Sequence, residues 1–143
     1  MPDIDAILGK MREAIPAGPV RIKEAVEGGR KVVGCYCAYT PYEVIRAAGA
    51  IPATLCATSE KPIAAAEEHL PRNLCPLIKA SYGFALTDTC PYFHFCDLVV
   101  GETTCDGKKK MYELMGEFKD VFILRLPNHQ DEDGVQAYWK EIL

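Results

Sequence analysis

The sequence predicts an α/β domain: a parallel sheet with helices on both faces. Three observations carry that prediction. Four short runs, RKVVGCYC (30–37), AIPATLC (50–56), DLVVGETT (97–104) and DVFILRLP (120–127), are apolar and mostly β-branched, without the polar alternation of a half-exposed strand. Helical patterns lie between them, and parallel neighbours need such crossovers. With 143 residues, the chain is long enough for one such unit with its own core.

Taken in order, residues 4–27 carry a helical pattern interrupted by IPAGPV, which predicts two short helices in an N-terminal segment spanning 1–29. The α/β domain then runs from 30 to 143. After the first strand, Thr40 suits a helix N-cap, Pro41 the first helical position and Glu43 the reciprocal member of a capping box. Gly49 reads as the stop of that helix. The second strand is followed by SEKPIAAAEEHL, a helix ended by Pro71, and by NLCPLIKASYGFALT, a helix opening at Cys75-Pro76. The third strand leads into Cys105, Asp-Gly and the amphipathic helix GKKKMYELMGEF, with Asp-Gly expected to form a tight turn that aims Cys105. The fourth strand precedes a last helix bearing Val135, Tyr138, Trp139 and Ile142 at helical spacing. The implied layout is a three-layer domain of the Rossmann-like or flavodoxin-like kind.

A net charge of −4 gives no basic field for nucleic acid, and no run approaches the length of a membrane span. The opening, MPDIDAILGK, lacks the basic and apolar blocks of a secretory signal, so the cytoplasm is the expected location. Neither G-x-G-x-x-G nor G-x-x-x-x-G-K-[ST] occurs, which speaks against those nucleotide sites.

Seven cysteines, an odd number in an expected reducing compartment, point to buried apolar residues, redox groups or metal ligands rather than disulfides. Ligands in an open α/β sheet bind beyond the carboxyl ends of the strands. Cys37, Cys56 and Cys105 follow strand ends, and Cys75 opens a helix. A helix N-terminus favours the thiolate, the form that binds metal. Cys75 and Cys105 are therefore the first candidates for metal ligands, with Cys37 and Cys90 behind them. Cys96 is evenly balanced between ligand and core residue. Cys35 and Cys56 read first as small buried hydrophobes. Glu43 is a weak catalytic candidate beside its expected capping role. Lys108 to Lys110 either add positive potential at the site or form a solvated face. His69, His94 and His129 lack ligand spacing. No C-x-x-C occurs, only C-x-C at 35–37 and C-x₅-C at 90–96, so a zinc or dithiol redox module is the weaker alternative.

Four segments add to this reading. GCYCAYTPYEVIRAAGAIP, NLCPLIKASYGFAL, TDTCPYFHFCDLVVGETTCDGKKKMYEL and FILRLPN, in that order, resemble the 2-hydroxyacyl-CoA dehydratase and benzoyl-CoA reductase superfamily. LVVGETTCDGKKKMYEL is most similar to its double-cubane cluster subclass. The resemblance implies a cytoplasmic iron–sulfur component of an oxygen-sensitive, anaerobic low-potential reductase or radical dehydratase. Its cofactor is a 4Fe-4S or double-cubane 8Fe-9S cluster held by Cys75 and Cys105. It further implies an activator ATPase with its own iron–sulfur cluster, a homo- or hetero-dimer partner subunit, and an acyl-CoA or other small-molecule substrate. The family's third ligand lies in a second domain that this sequence lacks, so the chain reads as an N-terminal portion or a split subunit. A cluster-free fragment that only binds partners is the non-enzymatic alternative.

Overall fold

The computed structural model describes residues 3–143; Met1 and Pro2, which open the expected N-terminal segment, lie outside it. Four parallel strands, β1 (Val32–Cys35), β2 (Ile51–Thr54), β3 (Leu98–Glu102) and β4 (Val121–Leu124), form one sheet in the order β2-β1-β3-β4. Helices flank it in three layers, as the continuous apolar strands require: α1 (Ile4–Glu27), α2 (Tyr42–Ala47), α3 (Ile63–Ala66), α4 (Pro76–Leu86), α5 (Pro91–His94), α6 (Asp106–Met115) and α7 (Glu132–Ile142).

The order contains a reversal. From β1 the chain moves outward to β2, then returns to the other side of β1 for β3 and β4. The loops leaving β1 and β3 therefore diverge, and a crevice opens between them at the carboxyl edge. Register places Cys35 beside Val100, so residues 36–41 face 103–105 across that gap.

The core is formed by Val32, Ala53, Leu55 and Val99 from the sheet side and Ile78, Tyr82, Met111, Tyr112 and Met115 from α4 and α6. Burial of each large apolar side chain contributes about 1.5–3 kcal/mol. Two glycines set how closely layers approach. A Cβ on Gly101 in β3 would meet three Tyr112 ring atoms at 2.6–2.7 Å, and one on Gly83 in α4 would strike the Pro62 carbonyl that precedes α3. The lower edge is tied by Asp97, which accepts the Val32 N–H at 2.9 Å and the Lys31 ammonium at 2.6 Å.

Several local expectations change. Residues 4–27 form one helix with Pro16 and Pro19 inside it, not two. The carbonyls that lose their partners belong to Arg12 and Ile15, both exposed, so water can replace the missing N–H. Thr40 does not cap α2; Pro41 occupies the cap position and the expected Thr40–Glu43 box is not made. Thr40 instead turns inward to Glu102. Gly49 does end α2, at a φ of 80°. The predicted helix 59–70 contracts to the single turn of α3, and α5 appears where none was read. On α7, Val135 and Trp139 are exposed, while the Tyr138 hydroxyl donates to the Tyr39 carbonyl at 2.5 Å. No described helix is long and apolar enough to cross a membrane.

Candidate functional site

Cys75 and Cys105 are the N-cap residues of α4 and α6, and both are exposed. Neither sulfur is used to cap its own helix. Pro76 at the first helical position and the extended backbone of Cys105, with φ −155° and ψ 156°, fix the two starts.

The starts lie side by side. A Cβ on Gly107 would meet Ile78 Cδ1 at 2.8 Å and Leu74 Cδ1 at 2.9 Å. Leu74 precedes Cys75 and Gly107 follows Cys105 by two residues, so a tight glycine contact joins the segments that carry the thiols. Asp-Gly is thus not a turn: both residues belong to the first turn of α6, and the glycine permits close approach.

The three lysines divide. Lys109 pairs with Asp106 at 3.1 Å and Lys110 with Glu113 at 2.9 Å, both on the solvated face. Lys108 turns to the crevice, where its Nζ touches Cys37 Sγ and donates to Thr104 Oγ1 at 3.0 Å. Partial burial lowers the Lys108 pKa by penalising its charged form. Cys37 occupies the left-handed region at φ 68°, uncommon for a residue with a side chain. Cys37, Cys56, Tyr42, Thr54, Thr104 and Lys108 share a cavity of about 660 Å³, with Tyr42 Oη and Thr54 Oγ1 3.1 Å apart.

Behind the crevice stands Glu102, fully buried. Its Oε1 accepts the Tyr39 N–H at 2.5 Å, the Thr40 N–H at 2.7 Å and the Thr40 hydroxyl at 3.3 Å. Oε2 and the Tyr112 hydroxyl are buried without a protein partner. Burial raises the Glu102 pKa, opposed by the N–H donors of Tyr39 and Thr40.

The remaining thiols separate by burial. Cys35 is fully buried, its pKa pushed up to about 11 chiefly by desolvation. Cys96 is buried, donates to the Tyr92 carbonyl at 3.0 Å and is pushed up to about 12, again chiefly by desolvation. Cys56 is exposed, contrary to its reading as a core residue, because β2 has ended by Thr54 and the chain has left the sheet. Cys90, half-buried at the α5 N-cap, opens onto an adjoining cavity of about 550 Å³ lined by Ile22, Pro52, Phe84 and Tyr92, which shares Thr54 and Cys56 with the first. Glu43 is exposed on the first turn of α2. Among the described residues, no three His, Cys, Asp or Glu side chains gather as a metal-holding group.

The sequence reading missed Glu102 and the Lys108 contact. A carboxylate inside the apolar run LVVGETT was the available signal for Glu102; nothing local distinguished Lys108 from its neighbours.

Residues 37–143 match the family described as 2-hydroxyglutaryl-CoA dehydratase, D-component. The chain belongs to that family. It is also similar to the "Putative dehydratase subunit YjiM" of Escherichia coli (strain K12), with 54% identity over 138 residues. That alignment takes in 96% of this chain and 36% of the relative, so the chain spans about a third of the length of the dehydratase subunit it matches. Cys37, Cys75, Glu102, Cys105 and Lys108 all fall within the residues that the family match covers.

Proposed function

We propose that this family member supplies two thiolate ligands, Cys75 and Cys105, to an iron–sulfur cluster in an activator-dependent dehydratase or reductase system of the cytoplasm. The observation that supports this most directly is the Gly107 contact, which sets the starts of α4 and α6 against each other; each start carries one exposed thiol. The donor set suits iron–sulfur chemistry, since thiolates are its usual protein ligands. Two thiolates leave iron positions for other ligands, which a second domain, a partner subunit, solvent or a bridging sulfide would supply. Such a cluster supplies single electrons at low potential when bound.

The chain's own residues do the rest. Cys75 and Cys105 stand as N-cap residues, with the unpaired backbone N–H groups of the first turns of α4 and α6 beside them. Glu102 holds the Tyr39–Thr40 loop in place, and the 660 Å³ cavity offers hydroxyls and one cation to an acyl-CoA or another small-molecule substrate. Cys37 and Cys90 are secondary candidates; the Cys37 sulfur is engaged by Lys108, and Cys90 faces the other cavity. A 4Fe-4S or double-cubane centre, as in the benzoyl-CoA reductase-like and double-cubane branches, and an ATP-driven activator complete the proposal.

The test is anaerobic reconstitution of wild type, Cys75→Ser and Cys105→Ser with iron and sulfide, followed by metal and sulfide counts and electron paramagnetic resonance. Each substitution is expected to lower iron retention sharply and change the spectrum. Equal iron and sulfide in all three proteins would refute the ligand assignment. Zinc bound equally by all three, with no iron retained, would favour the thiol module or the cluster-free fragment.

A further inference from the structure

We propose that Cys37 and Lys108 form an oxidative cross-linking site, in which Cys37 oxidised by a peroxide is captured by the Lys108 amine in a covalent sulfur–nitrogen bond. The carrying observation is the direct contact of Lys108 Nζ with Cys37 Sγ, made between residues 71 apart in sequence.

Both partners are held in place rather than met by chance. The chain before Cys37 is fixed by the Tyr36 N–H on the Val100 carbonyl at 3.1 Å. The chain after it is fixed by the two N–H bonds to Glu102. Lys108 stands on the first turn of α6, and Thr104 steadies its ammonium. Both residues line the 660 Å³ cavity, which admits a molecule as small as hydrogen peroxide. Cys56 lines the same cavity and is the competing partner.

The chemistry balances in two steps. The Cys37 sulfur attacks one peroxide oxygen, the O–O bond breaks, and sulfenic acid and one water result; the thiol is oxidised and the peroxide reduced. The Lys108 nitrogen then attacks the sulfenic sulfur. The S–N bond forms, the S–O bond breaks, and the departing hydroxide takes an amine proton as water. The product has lost two hydrogens relative to the reduced chain. It ties the loop after β1 to α6 across the switch point and removes the one lysine charge that α6 turns toward the crevice. A dithiol cleaves such a bond.

This inference does not depend on the cluster reading, because its readout is a peptide mass on the iron-free chain. The reduced full chain is treated with hydrogen peroxide, blocked with iodoacetamide, digested with trypsin and mapped by mass spectrometry. Expected is a linked pair of peptides joining Cys37 to Lys108, lighter by two hydrogens, uncleaved after Lys108 and released by dithiothreitol. The pair persists in Cys56→Ser and is absent in Cys37→Ser, Lys108→Gln and Lys108→Arg. The last two retain the wild-type circular dichroism spectrum and accumulate Cys37 as a dimedone-trapped sulfenic acid. A Cys37 disulfide to Cys56 or Cys35 in wild type, or Cys37 oxidised beyond sulfenic acid with Lys108 free, would overturn the proposal.

Discussion

The Glu102 carboxylate at the end of β3 accepts both the backbone N–H of Thr40, at 2.7 Å, and its hydroxyl, at 3.3 Å. One buried side chain thereby joins the two loops that diverge at the switch point, and the crevice owes its shape to that link.

Glu102→Ala leaves the buried N–H and hydroxyl of Thr40 without their acceptor, along with the part-buried N–H of Tyr39, and is expected to cost about 3 kcal/mol in urea unfolding. Glu102→Gln keeps a carbonyl acceptor and is expected to cost much less. The pH dependence has a defined sign. The folded carboxyl binds its proton more tightly than the unfolded one, so its contribution is present below the unfolded value of about 4.3 and is lost as pH rises through the raised folded value. Unfolding measured from pH 4 upward should show this decline in wild type, and Glu102→Gln should flatten it.

The thiols are expected to fall into classes. Cys56, Cys75 and Cys105 are exposed and should alkylate within minutes at pH 8. Cys35 and Cys96, pushed up to about 11 and about 12 by burial, should resist until the protein unfolds. Timed iodoacetamide labelling with peptide mapping checks this. Fast labelling of Cys35 in folded protein would contradict the burial of β1.

The order of strands and helices was legible because continuous apolar strands have few homes other than a parallel sheet, and Cys75-Pro76 is a local helix-start signal. What stayed hidden was set by distance in the chain. Thr40 and Glu43 have the spacing of a capping box, but Thr40 has a stronger partner 62 residues away, a buried carboxylate that a free N-terminal turn cannot match. Gly107 read as a turn residue because Asp-Gly usually is one; its reason, the side chains of Leu74 and Ile78, lies on another helix. Pro16 and Pro19 read as breaks because sequence does not show that solvent can serve the carbonyls they free.

Asp97 should report on the opposite edge of the sheet. The Lys31 ammonium, followed by the Val32 N–H, holds its carboxyl below the usual range. Its contribution is therefore present above the unfolded value of about 3.9 and lost as pH falls through the lowered folded value. Asp97→Ala is expected to cost about 1 kcal/mol at neutral pH, mostly through the Val32 N–H. Lys31→Met should cost less, because the ammonium is largely exposed and water replaces most of that pair. A larger loss in Lys31→Met than in Asp97→Ala, by urea unfolding, would reverse this assignment.

The sharpest test of the crevice leaves every thiol in place. Gly107→Val puts a branched side chain where Leu74 and Ile78 already stand within 3 Å of a Cβ. Ile78 is buried in the core and Leu74 packs against it, so neither side chain has open space to swing into and the helices yield by moving apart, at about 1–3 kcal/mol for such overpacking. The fold survives that cost, but the starts of α4 and α6 separate, and with them Cys75 and Cys105. A cluster held by both thiolates tolerates little change in their spacing. Gly107→Val is therefore expected to keep the wild-type circular dichroism spectrum and the same number of reactive thiols, yet to lose iron and sulfide after anaerobic reconstitution. Gly107→Ala, with one methyl and a better helix propensity, should fall between the two. If Gly107→Val retains iron and sulfide as wild type does, the two helix starts are neighbours without being partners, and the shared ligand site is wrong even though the fold is right.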